Sequence, residues 1–279
     1  MIMKAQCVVN MMIQRGIEID VVTYNSLLDG YALHSQMHLA NKLFHVMMKN
    51  GCKPDVYTYT ILINWSCKCE RIDVALNLHE EMLGKGVIPS IHTYNALIHG
   101  LCLTMDPWTA LKLSEYMRAF ACPNIVTYNT LMDGFCTCGK LDVALEIFQE
   151  MKMSKLKPDM VTYSILIDGF FKAGRSKDAI DLISRLFADG LHPNIYTINI
   201  MIGGLSRLES LDKAYKVFRS MEEFGISPDS SCYNVIIHGF LRHKDRSKAL
   251  ELIDEMHDKG FSEDNTTIDL LRKNNVIVK

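Results

Sequence analysis

Long apolar runs are missing from this chain. No stretch approaches the ~18 consecutive apolar residues that a membrane-spanning helix needs, so no transmembrane segment is expected. An excess of one charge is missing too. Thirty basic residues stand against 32 acidic ones, a formal net charge of −2, which argues against a broad cationic surface that holds nucleic acid by charge alone. Any contact with a polyanion must be local and directed. The common catalytic signatures are absent: no H-E-x-x-H, no complete phosphate loop G-x-x-x-x-G-K-[ST] and no G-x-S-x-G occurs. No secretory signal peptide is expected, and the nine cysteines with 17 methionines predict a reducing compartment and thiols used as small hydrophobes.

Proline is scarce, and its placement is informative. Six of the seven prolines (Pro54, Pro89, Pro123, Pro158, Pro193 and Pro228) recur at one spacing of about 35 residues, each followed by a similar run. Pro158-Asp159-Met160-Val161-Thr162-Tyr163-Ser164 is one copy, and Pro54-Asp55-Val56-Tyr57-Thr58-Tyr59-Thr60 is another. A period between 20 and 50 residues signals a solenoid, in which each unit leaves an apolar face that only its neighbours can bury. Seven repeats follow from this alignment: 21–55, 56–90, 91–124, 125–159, 160–194, 195–229 and 230–264, the third one residue short. Residues 1–20 match the second half of a repeat, since Ala5 and Met12 precede Ala40 and Met47 by 35, which suggests a trimmed array. Residues 265–279 read as a partial repeat, with Ile268, Leu270 and Leu271, and a frayed C-terminal cap.

Each repeat carries two helical patterns. In the fourth, Val126, Tyr128, Leu131, Met132 and Phe135 predict one helix ending near Cys138-Gly139, and Leu141, Ala144, Leu145, Ile147, Phe148 and Met151 predict a second. The expected fold class is therefore all-α, an α-solenoid of helix-turn-helix repeats winding as a right-handed superhelix. Alanine recurs in every second helix (Ala40, Ala75, Ala110, Ala144, Ala179, Ala214, Ala249), where a small side chain lets paired helices approach. Glycine recurs in the first helix (Gly30, Gly100, Gly134, Gly169, Gly204, Gly239), with close backbone packing as the expected compensation for its helix cost. Trp65 stands there in the second repeat, so packing should differ at that point.

The first-helix sequences VVTYNSLLDGY (21–31), IVTYNTLMDGFC (125–136) and MVTYSILIDGFF (160–171), with their G-x-x-P-D endings, resemble the pentatricopeptide repeat family of plant organelles. The likeness is to the P-type class and, within it, to fertility-restorer-like members with near-uniform 35-residue units. It implies single-stranded RNA binding, one base per repeat, on the concave face lined by the first helices. Counting each repeat from its first residue, the resemblance gives the fifth and last residues to base reading: Asn25/Asp55, Thr60/Ser90, Asn95/Asn124, Asn129/Asp159, Ser164/Asn194, Asn199/Asp229 and Asn234/Asp264. Stacking against the base falls to the second residues, Val22, Tyr57, His92, Val126, Val161, Tyr196 and Ser231. Lys68, Lys172, Arg207 and Arg242 share the thirteenth position, where the family contacts phosphate, and Leu33, Leu103 and Thr137 hold that position elsewhere. Read by the family's pairing, the array implies U-R-C/U-U-A-U-U with its N-terminus at the RNA 5′ end.

Short amide, hydroxyl and carboxylate side chains do offer directional donors and acceptors to a base edge, and valine or tyrosine offers a flat apolar wall. Asn and Asp are equally what turns and helix N-caps use, so residue type alone leaves both readings open. Cys67-x-Cys69 and Cys136-x-Cys138 resemble zinc half-sites, but they lie two repeats apart and do not make one tetrahedron. No cofactor and no catalytic residue is implied, so the chain is expected not to be an enzyme. The expected partner is a single-stranded organellar transcript with a processing factor beside it, and neither a membrane nor a small-molecule substrate. Mitochondrion is the expected location and chloroplast the alternative. The competing function is a helical scaffold that holds a peptide in its groove.

Overall fold

The computed structural model describes residues 9, 11–12, 15–207, 210–222 and 225–274. The reading of residues 1–20 as half a repeat rests largely on positions outside these, Ala5 among them, and the end of the cap beyond Asn274 also lies outside them.

Among the described residues there are fifteen bounded helices and no strand, so the chain is all-α as expected. Two compact units make it up, one to Cys138 and one from Gly139. The first contains α1 (Val21–Leu33), α2 (Met37–Lys49), α3 (Val56–Lys68), α4 (Ile72–Gly84), α5 (Ile91–Leu103), α6 (Pro107–Met117) and α7 (Ile125–Thr137). The second contains α8 (Leu141–Met153), α9 (Met160–Lys172), α10 (Ser176–Ala188), α11 (Ile195–Arg207), α12 (Leu211–Arg219), α13 (Ser230–Arg242), α14 (Arg246–Asp258) and α15 (Asn265–Lys273). Within each unit the helices form antiparallel pairs, and each first helix also lies against the first helix of the next pair: α1 on α3, α3 on α5 and α5 on α7, then α9 on α11, α11 on α13 and α13 on α15.

The starts of the first helices are chemically fixed. Asp20, Asp55, Ser90, Asn124, Asp159, Asp229 and Asp264 are N-caps in extended conformation whose side chains accept from the backbone N–H three residues on. Asn194 does the same for Thr197 N–H at 2.9 Å. Second helices end on left-handed glycine at Gly51, Gly86, Gly190, Gly225 and Gly260. Lys155 takes that conformation (φ 60°) in the fourth repeat. In the shortened third repeat α6 has 11 residues, begins with Pro107 in its first turn, and closes through a tight Phe120 N–H to Met117 C=O bond of 2.9 Å.

The core is a ladder of small against large side chains. Ala40, Ala75, Ala110, Ala144, Ala179, Ala214 and Ala249 are at most 1% exposed. The first-helix glycines are explained differently from the expectation of backbone approach. A Cβ on Gly100 would fall 2.5 Å from Cys67 Sγ, on Gly134 2.5 Å from Cys102 Sγ, on Gly204 2.3 Å from the Phe171 ring and on Gly239 2.7 Å from Ser206 Oγ. A side chain from the preceding first helix occupies the room in each case. Trp65 fits because the residue aligned with Cys67 and Cys102 in the preceding repeat is Ala32, and both line one cleft. Cys67 and Cys102 are thus packing residues, and burial pushes both thiols up to about 12.

Candidate nucleic-acid interface

The second residue of each first helix points outward although it is often apolar. Val22 is 65% exposed, Tyr57 55%, Val126 51%, Val161 54% and Tyr196 66%, and His92 and Ser231 are exposed as well. These helices bury most of their other large side chains, Leu33 (76% exposed) and Leu103 (49%) near their ends being exceptions, and leave this register open to solvent. An unpartnered apolar row of this kind suits stacking.

The fifth residues lie one turn further on and deeper. Asn25, Asn129, Ser164 and Asn234 are buried, and Thr60, Asn95 and Asn199 are half-buried. Six of the seven pairs meet directly or share a partner within one unit. Asn25 Nδ2 donates to Asp55 Oδ1 at 3.1 Å, and Asn95 Nδ2 to Asn124 Oδ1 at 3.4 Å. Asn234 Oδ1 accepts from the backbone N–H of Asp264 at 3.1 Å. Asn199 Nδ2 donates to Ser231 Oγ at 2.7 Å, and Ser231 Oγ donates to Asp229 Oδ1 at 2.7 Å, so this pair is joined through a third side chain. Thr60 and Ser90 both meet Thr93 Oγ1, at 2.8 and 3.1 Å. Ser164 Oγ lies 2.8 Å from Thr197 Oγ1, which lies 2.9 Å from Asn194 Oδ1. Asn129 sits buried on α7 of the first unit, and Asp159 caps α9 of the second.

In those six pairs the last residue is both the N-cap of the next first helix and a neighbour of the fifth residue. Burial pushes the Asp55 carboxyl up, but the Thr58 donors and the Asn25 amide outweigh it and hold it below the ordinary 3.8. Asp229 is lowered in the same way, against burial, by Ser231 and Cys232. At Asp264 the Thr267 and His238 donors outweigh burial. His238 Nε2 lies 2.7 Å from Thr267 Oγ1 and 3.4 Å from Asp264 Oδ1, and burial pushes its pKa down.

Two clefts bring the three kinds of position together. One, of about 420 Å³ between α1 and α3, is lined by Tyr57, Thr60 and Lys68 with Asp29, Leu33 and Trp65. The other, of about 300 Å³ along α9, α11 and α13, is lined by Tyr196, Asn199, Arg207 and Arg242 with Asp168 and His238. In each cleft a second-position ring, a fifth-position polar side chain and a thirteenth-position cation line one space.

Lys68, Lys172, Arg207 and Arg242 all reach solvent. Asp168 bonds Lys172 Nζ at 2.7 Å and lies 3.9 Å from Arg207 Nη2. Its spacing of four before Lys172 was a visible signal for the first pair. Sequence reading also passed over the third residue of each first helix, Thr23, Thr58, Thr93, Thr127, Thr162 and Thr197, although its recurrence within the T-Y run was plain. Among the described residues no group of three or more His, Cys, Asp or Glu is placed to hold a metal ion, and no helix is long and apolar enough to cross a membrane.

Solved structures of similar fold include the pentatricopeptide repeat protein PPR10 from maize, with 22% identity over 98% of this chain and 44% of that one and a TM-score of 0.62. PPR10 in complex with an 18-nt psaJ RNA element matches at 22% identity over 97% of this chain and 44% of that one, with a TM-score of 0.65. Nuclear protein-only RNase P 2 of Arabidopsis thaliana matches more distantly, with 13% identity over 65% of this chain and 41% of that one and a TM-score of 0.54. The chain spans less than half the length of these proteins, and at such identities the likeness is one of fold. No curated protein matches it. A model of the PPR repeat family matches residues 19–68, 60–103, 123–172, 166–207, 199–240 and 228–271, and a PPR repeat model matches 92–120. Matched over most of its length by that repeat, and built of helix pairs whose first helices start every 34 or 35 residues, the chain belongs to the PPR repeat family.

Proposed function

We propose that the chain binds single-stranded RNA in a sequence-specific manner, one base to each of the repeats that begin at residues 21, 56, 91, 125, 160, 195 and 230. One observation carries this reading: an exposed wall, a reader tied to the next helix cap, and a cation recur in one register and converge in the clefts at Tyr57 and Tyr196. PPR10, whose fold this chain shares, is known in complex with an RNA element. Within each repeat the second residue supplies a stacking face, the fifth and last residues read the base edge, and Lys68, Lys172, Arg207 and Arg242 meet phosphate. The near-neutral net charge is consistent with affinity built from such local contacts.

The chain acts by occupying a transcript, which it shields, remodels or presents to a processing enzyme, and not by catalysis. By its resemblance to fertility restorers the transcript is organellar, mitochondrial ahead of chloroplast. Selection of bound species from a random single-stranded RNA pool, followed by sequencing, tests the reading. Enrichment of a seven-base core near U-R-C/U-U-A-U-U is expected. Failure to retain RNA, alongside capture of a peptide, would assign the groove to protein.

A further inference from the structure

Resting on the RNA reading above, we infer that the third residue of each first helix, outside the positions given to ligand contact, sets base discrimination in the preceding repeat by fixing the reader side chain, and that Cys232 leaves the sixth repeat unfixed. Thr58 Oγ1 donates to Asn25 Oδ1 at 2.7 Å, Thr127 Oγ1 donates to Asn95 Oδ1 at 2.7 Å, and Thr267 Oγ1 donates to Asn234 Oδ1. Thr93 and Thr197 make the corresponding contact to the hydroxyls of Thr60 and Ser164, each at 2.8 Å. All five of these threonines are 0% exposed.

The hydroxyl has one proton, and two acceptors face it: for Thr58 these are Asn25 Oδ1 at 2.7 Å and Asp55 Oδ1 at 2.9 Å. In the second repeat Thr58 Oγ1 accepts from Asp55 N–H at 3.2 Å, and in the fourth Thr127 Oγ1 accepts from Asn124 N–H at 3.2 Å; of the two acceptors for its proton the reader amide oxygen is the nearer in both, 2.7 Å against 2.9 Å to Asp55 Oδ1 and 3.2 Å to Asn124 Oδ1. A primary amide exposes a carbonyl on one side and N–H donors on the other, and a half-turn exchanges them. With Oδ1 held by Thr58 and one Nδ2–H held by Asp55, Asn25 keeps only its other N–H for a ligand. The locked amide is a donor and meets an acceptor on the base edge.

The sixth repeat departs from this. Cys232 replaces the threonine, and a thiol is a weak donor. Asn199 Oδ1 is buried with no partner, while its Nδ2 is bound to Ser231 Oγ at 2.7 Å. Ser231, at the stacking position of the seventh repeat, is spent on joining Asn199 to Asp229. Asn199 lines the cleft with Tyr196; its Oδ1 is itself buried, and with no threonine hydroxyl to hold it a turn of the amide can bring that acceptor to the space a base would fill. This amide can take a donor from a base that the locked amides refuse, and the sixth repeat discriminates less sharply.

The test measures dissociation constants for RNAs that carry each of the four bases opposite the first repeat or opposite the sixth, by fluorescence anisotropy. Thr58→Val keeps the shape and removes the hydroxyl. It should cut discrimination at the first position by roughly 5-fold or more, the scale of a single base contact, while the other positions keep theirs. Thr58→Ser should restore discrimination. Cys232→Thr should sharpen the sixth position by a similar factor. Ratios unchanged in Thr58→Val, or a uniform loss of affinity for every sequence, would overturn the inference and leave threonine as a cap alone. A wild-type chain that retains no RNA overturns the RNA reading itself, and this inference with it.

Discussion

Asp55 concentrates two duties on one oxygen. Its Oδ1 accepts from Thr58 N–H at 2.8 Å to cap α3 and from Asn25 Nδ2 at 3.1 Å to hold that amide. The folded carboxyl lies below the ordinary 3.8, so its contribution to stability is present above that value and is lost as pH falls through the folded one. Asp55→Asn keeps a capping oxygen but cannot titrate. Urea unfolding should find wild type more stable than this variant at pH 7 and the gap narrowing as the pH falls below 3.8; a gap independent of pH would contradict the account. Asp55→Ala, which removes the cap, should cost about 1 kcal/mol at pH 7. At this scale the repeat period was legible in the sequence, while the roles of the second, fifth, last and thirteenth positions came from the family resemblance. The sequence did not display the Thr58–Asn25 or Asp168–Arg207 contacts, because these join residues 33 and 39 positions apart that meet only once first helices lie side by side.

Helix ends were legible wherever the sequence used glycine and hidden wherever it did not. Gly51, Gly86 and Gly190 announced left-handed caps, while Ser35, Glu70, Met105, Lys155 and Lys244 adopt the same region with φ between 56 and 62°. An L-residue there costs roughly 1–2 kcal/mol relative to glycine, offset by glycine's greater freedom in the unfolded chain. Lys155→Gly should therefore raise stability by about 1 kcal/mol, read as a higher urea midpoint with unchanged slope. A lower midpoint would show that Lys155 earns its place through other contacts. The first-helix glycines teach a complementary point. Their period was visible, but their cause was a side chain of the preceding helix, Cys67, Cys102, Phe171 or Ser206, and the exchange of Trp65 for Ala32 follows from the same shared volume.

For the whole molecule, charge decides how binding should respond to salt. With 30 basic and 32 acidic residues, affinity for a polyanion must come from placed cations, and Asp168 already engages two of them. Replacing Lys172, Arg207 and Arg242 together by alanine should weaken binding to all RNA sequences alike. It should also lower the slope of log K against log salt by about 2, at roughly 0.7 per single-strand phosphate contact. A loss confined to one sequence would make these side chains base readers. The all-α repeat architecture was legible because one hydrophobic and proline period runs through the chain, whereas ligand chemistry rests on pairs that only the folded repeats bring together.

The central claim is that each repeat chooses its own base, and the fifth repeat offers the most direct measurement. Ser164 and Asn194 there share Thr197 Oγ1, while Asn25 with Asp55 shows how an amide and a carboxylate sit in the same register. Ser164→Asn combined with Asn194→Asp should convert the preference opposite this repeat from A to U and leave every other position as it was. A base contact of ~1–3 kcal/mol makes the change roughly 5–150-fold in relative affinity, measured with RNAs that differ at that single base. A double variant that still prefers A there, or that loses every RNA equally, would contradict the assignment of one base to one repeat.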